Sequence, residues 1–170
     1  TAQREALITS GDNAFIPDLV AIRPPLQAAG FTITELSPST ATPVTSANIR
    51  AAITAFAAGG GNTCDGFLVY ITAHGGGGPT NADSLPGDNG IGTNQFVIST
   101  AAGLRTMHYN TLVQAVRSAM PARNVYLIVD ACFSGNIVDD AYVFYGNNVA
   151  QRQLRVMTAA DGFHYASLPA

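Results

Sequence analysis

Two side chains with reactive chemistry stand at the ends of apolar runs: His74 in Thr72-Ala73-His74-Gly75-Gly76-Gly77-Gly78, and Cys132 in Asp130-Ala131-Cys132-Phe133-Ser134-Gly135. A thiolate attacks carbonyl carbon well, and an imidazole within reach can protonate a leaving amine, so the pair suits acyl transfer from a peptide. Taken singly, each has a plainer reading, the cysteine as a small buried hydrophobe and the histidine as a satisfied loop residue. Taken together they share a context, since each closes an apolar run and each is followed by glycine-containing backbone that can approach a ligand closely. Asp130 adds a third feature. Residues two apart in an extended segment face the same side, so its carboxylate opens into the cleft that Cys132 faces, where it needs a partner. An incoming Arg or Lys side chain would supply one.

The elements that must position these residues are readable from periodicity. Glu5 to Thr9 (EALIT) is a short apolar strand before the turn cluster Ser10-Gly11-Asp12-Asn13. Ile16, Leu19, Val20, Ile22 and Leu26 follow at near-helical spacing, with Pro24-Pro25 predicting a kink or late restart. Phe31 to Leu36 alternates as a strand, Ser37 to Val44 is a loop, and Thr45 or Ser46 caps a helix with Ile49, Ala52, Ile53 and Phe56 on one face, ended by Gly59-Gly60-Gly61.

Phe67 to Thr72 (FLVYIT) is an unbroken apolar run, as in a strand covered on both faces by helices, and Val125 to Val129 (VYLIV) is another fully apolar strand. Between them lie a polar loop, Gly75 to Asn94, too long for a mere connector, a short strand at Phe96 to Ser99, and a helix from Tyr109 to Met120. Ser134 to Gln153 reads as a polar segment and Leu154 to Ala159 as a fifth strand. The alternation predicts an open, mostly parallel α/β sheet with helices on both faces, in one domain spanning residues 1–170. Ligands in such sheets bind beyond the carboxyl ends of the strands, where His74 and Cys132 both fall. If the two central strands are neighbours, imidazole and thiol meet although 58 positions separate them.

The pair YITAHG and VDACFSG resembles the caspase-like cysteine peptidases, and its D-A-C-x-S-G form is most similar to metacaspases and the bacterial orthocaspases. The order His then Cys and their spacing agree with the roughly 50 residues seen in caspases, and Thr45-Ser46-Ala47-Asn48-Ile49 is similar to a T-x-x-N-I turn of metacaspases. The resemblance implies a caspase-like three-layer fold with Cys132 as nucleophile, His74 as acid and base, and the amides of Gly75 and Cys132 as oxyanion donors. It further implies an endopeptidase that cleaves after Arg or Lys. Asp130 would line the pocket for the basic side chain, with Asp18 the nearest match to a second acid, although Asp18 also suits the first turn of a helix. Two departures are Thr72-Ala73 in place of Ser-Gly before the histidine, and Phe15-Ile16-Pro17 in place of G-C-x-N before Asp18.

Asp83, Asp88, Asp139 and Asp140 offer hard oxygen ligands of the kind calcium takes in some metacaspases, against the reading of solvated loop acids. No organic cofactor is expected. Only Ala160 to Ala170 follow the fifth strand, whereas the resemblance implies a sixth strand and a small second part, expected to be missing or carried on another chain. Alternatives are a legumain-like peptidase directed to Asn or Asp, and a catalytically silent interaction domain of the same fold. A nucleotide-binding domain using the glycines after His74 lacks the spaced fingerprint.

Composition narrows the field. Of the 170 residues 47% are hydrophobic and 11% charged, enough apolar material for one buried core. All eight cationic residues are arginines, which excludes a Walker lysine or a pyridoxal Schiff base. The net charge of -3 comes without a basic cluster, so nucleic acid is not an expected partner, and a protein or peptide substrate is. Cys64, His108 and His164 carry no motif and read as structural. No apolar run approaches roughly 18 residues, so a membrane partner is not expected. The domain reads as soluble, cytoplasmic in preference, or secreted if a targeting segment was removed.

Overall fold

The computed structural model describes residues 3–58, 66–76, 94–99, 105–120, 124–145, 154–161 and 166. Five parallel strands make the central sheet: β1 (Arg4–Ser10), β2 (Thr32–Leu36), β3 (Gly66–Thr72), β6 (Asn124–Asp130) and β7 (Leu154–Thr158), in the order β2-β1-β3-β6-β7. A separate antiparallel pair, β4 (Gln95–Ser99) and β5 (Arg105–His108), lies between β3 and β6 in the chain. The helices are α1 (Ile16–Ala28), α2 (Ser46–Ala58), α3 (Tyr109–Ala119) and α4 (Asn136–Tyr145).

Side-chain parity along the strands divides the core in two. Leu7, Phe67, Val69, Ile71, Val125, Leu127 and Val129 point to one face, against Ile49, Ile53 and Phe56 of α2, Leu112, Val113 and Val116 of α3, and Ile137 of α4. Ala6, Ile8, Leu68 and Tyr70 point to the other, against Leu19 and Leu26 of α1. The result is the three-layer α/β arrangement that the alternation predicts. At about 1.5–3 kcal/mol for each large side chain fully buried, this double covering is what holds β1 and β3 at the centre.

β1 has β2 on one side and β3 on the other, so the chain changes direction in the sheet at the carboxyl ends of β1 and β3. Loops leaving such a pair of strands diverge and open a crevice, and His74 follows β3 there. The turn after β1 is pressed onto the small sheet: a side chain at Gly11 would put its first carbon 2.2 Å from the Val97 carbonyl oxygen.

Two local readings are corrected and one strand is added. α1 runs on through Pro24 and Pro25 with no restart. The carbonyls that lose donors to them belong to Val20 and Ala21, on the exposed side of the helix, where solvent can satisfy them. The polar segment after Ser134 contains α4, whose buried apolar side chains among the described residues are Ile137 and Ala141. Residues 105–108, left without an assignment, form β5, whose buried apolar side chain is Met107 alone. Thr45 is the residue that caps α2, its Oγ1 accepting from the Asn48 amide at 3.0 Å.

Candidate active site

β3 and β6 pair in register from Gly66↔Asn124 to Thr72↔Asp130, and the Ala73 amide extends the ladder by donating to the Asp130 carbonyl at 3.0 Å. His74 and Cys132 therefore stand at equivalent positions, each two residues past the last pair. Beyond them the backbones touch. A first side-chain carbon at Gly75 would fall 1.9 Å from the carbonyl oxygen of Cys132, so only glycine fits. On its other side, this segment pairs with β4. The Gly76 amide donates to the Gln95 carbonyl and the Val97 amide to the His74 carbonyl, each at 2.9 Å, around a bridge between Gly75 and Phe96. Backbone groups alternate sides along an extended segment, so the Gly75 amide faces as Ala73's does, toward the Cys132 turn.

The His74 imidazole is exposed, and the ring of Phe15 meets it edge to face at 4.9 Å. Cys132 is a free, half-buried thiol. The residue after it, Phe133, is buried with φ +55°, a left-handed conformation that costs a non-glycine residue energy and turns the chain sharply out of β6. The Ser134 amide donates to Ala131 and the Asn136 amide to Phe133, leading into α4. Fully buried Ser134 fastens the turn to the residues after β7. Its Oγ donates to the Ala160 carbonyl at 3.3 Å and accepts from the Ala160 amide at 3.2 Å.

On the α1 face of the sheet, Tyr70, Thr72 and Asp130 line up by parity, and Asp18 reaches them from the first turn of α1. Thr72 Oγ1 donates to Asp18 Oδ2 at 2.8 Å and the Tyr70 hydroxyl to Asp130 Oδ2 at 3.4 Å. Burial and the charge of Asp18 raise the Asp130 carboxyl above its ordinary range, partly offset by the Tyr70 hydrogen bond. Burial and both carboxylates push the Tyr70 hydroxyl up to about 12. Among the described residues the ion pair is Arg23 with Glu35, at 2.5 Å, and no cation pairs with either aspartate. The two acids named from the sequence thus come together, and Tyr70 and Thr72, which the sequence reading passed over, join them. The signal for both was their even spacing in FLVYIT, on the face that Asp130 shares once the two strands are in register.

Asp139 and Asp140 occupy successive positions of α4, and Asp140 is raised above the ordinary carboxylate range by burial and by Asp139, with His108 opposing. His108 Nε2 lies 2.8 Å from Gln95 Nε2. Asp83, Asp88, Cys64 and His164 fall outside the described residues. Among the described residues no group of three or more His, Cys, Asp or Glu side chains comes together as a metal site. Two adjacent carboxylates alone do not meet the six to eight oxygens of calcium.

Among the described residues no helix is long and apolar enough to cross a membrane. No protein-family model matches the chain, and no curated protein matches it.

Proposed function

We propose that this chain is a caspase-like cysteine endopeptidase that hydrolyses peptide bonds after Arg or Lys. The observation that carries the reading is the contact of Gly75 with Cys132, which brings the His74 segment and the thiol to one end of the sheet. In this reaction the Cys132 thiolate attacks the scissile carbonyl carbon, and the displaced electron pair collects on the carbonyl oxygen. The amides of Gly75 and Cys132 hold that oxyanion. Collapse of the tetrahedral state breaks the C–N bond as His74 gives a proton to the leaving amine, which leaves a thioester on Cys132. His74 then takes a proton from water, whose oxygen attacks the thioester carbon; the C–S bond breaks, the peptide leaves as its carboxylic acid, and the Cys132 thiolate with protonated His74 is restored.

Specificity rests on Asp130 and Asp18. Each carries charge that the protein leaves uncompensated among the described residues, and a guanidinium or ammonium arriving from the substrate would relieve it. Asp139 and Asp140, with Asp83 and Asp88, are the oxygen donors this reading offers to calcium, and no step is routed through that ion. The test is turnover of a peptide panel varied at P1. Arg and Lys substrates should be cleaved and Cys132→Ala should abolish cleavage. Preference for Asn or Asp would favour the legumain-like alternative, and absence of all turnover would favour a silent interaction domain.

A further inference from the structure

Three buried side-chain oxygens among the described residues have no hydrogen-bond partner: Thr9 Oγ1, Asn94 Oδ1 and the Tyr109 hydroxyl. A buried hydroxyl without a partner is uncommon and calls for an explanation. Tyr109, the first residue of α3, is wholly buried. Its ring stacks on Phe96 with centroids 5.3 Å apart, Phe96 bridges Gly75, and Gly75 lies against Cys132. Tyr109, with its unused hydroxyl, therefore packs in the layer next to the Gly75–Cys132 contact. We propose that Tyr109 is a positioning residue whose hydroxyl donates a hydrogen bond to the Cys132 sulfur when that sulfur ionises.

Tyr109 suits this role because it stays protonated. Burial and the nearby charge of Cys132 raise its ionisation well above the ordinary tyrosine value, so it remains a donor throughout the range in which a thiol titrates. The other titratable groups around Cys132 are His74, from the segment after β3, and Asp130, at the end of β6. Asp140 on α4 responds to Asp139 and His108. The donor is neutral, so it supports the thiolate without adding charge to a site that already holds two aspartates.

This inference rests on the reading of Cys132 as a nucleophile, but its test needs no peptide turnover. The rate of Cys132 alkylation by iodoacetamide is followed against pH on the full chain, at the Cys132 peptide by mass spectrometry so that Cys64 does not contribute. In Tyr109→Phe the midpoint should rise by about one pH unit, with about a tenfold slower reaction at neutral pH. A fluorinated tyrosine at position 109 keeps the shape and makes the hydroxyl a stronger donor, so it should move the midpoint down. Profiles that superimpose on the parent for either folded variant would overturn the proposal. Loss of turnover on all peptides with the shifted profile intact would count against the peptidase reading alone.

Discussion

Gly75 lies so close to Cys132 that a methyl group on its α-carbon would sit 1.9 Å from the Cys132 carbonyl oxygen. Real atoms do not approach so far, so one backbone must move. Gly75→Ala should cost about 3 kcal/mol in urea unfolding, at the upper end of overpacking effects. Gly66→Ala, where the same carbon meets nothing within 4 Å, is the control and should be close to neutral. If the two variants are equally stable, the backbones are not in contact.

Ser134 is the fastener behind the Cys132 turn. Ser134→Ala leaves the Ala160 amide and carbonyl without their partner and should destabilise the fold by about 1–3 kcal/mol. Denaturant unfolding measures this, and a change within error would mean that the turn is held by Phe133 packing and α4 alone.

Asp130 links stability and specificity in opposite senses. Its carboxyl is raised in the folded chain, so the folded state holds that proton more tightly than the unfolded one. The contribution to stability is therefore present below the unfolded carboxylate value and lost as pH rises through the folded value. Asp130→Asn should raise the melting temperature at neutral pH, with the gain fading in acid. The same variant should lose hydrolysis after Arg. A melting temperature that falls at neutral pH would contradict the assignment.

Asp18 should act on binding. In Asp18→Asn, kcat/KM for an Arg substrate is expected to drop about tenfold, mostly through KM, because one of two carboxylates facing the basic side chain is neutral. The Thr72 hydroxyl keeps an oxygen acceptor, so unfolding should change little. An unchanged KM would return Asp18 to the role of helix N-terminal charge.

β3 and β6 were legible because both write continuous apolar runs, β3 buried on both faces and β6 on one, with Tyr126 exposed on the other, and these two strands deliver His74 and Cys132. Elements whose burial is thin were not legible. Among the described side chains of α4 the buried apolar ones are Ile137 and Ala141, and Asp139 and Asp140 lie on its accessible sides. β5 exists because β4 pairs with it, a relation that Arg105-Thr106-Met107-His108 does not announce. The role of Ser134 depends on Ala160, 26 residues on, and that of Tyr109 on a stack with Phe96. Such long-range partners leave no periodic mark.

The central claim is that the Cys132 thiol meets a carbonyl carbon presented by a peptide with a basic side chain at P1. A peptide carrying an electrophile in place of the scissile carbonyl, with Arg at P1, tests it directly by intact-mass and peptide mapping. One adduct on Cys132 is expected, suppressed in His74→Ala and in Asp130→Asn. An adduct on Cys64, or none on Cys132 while small alkylating agents still react there, would contradict it.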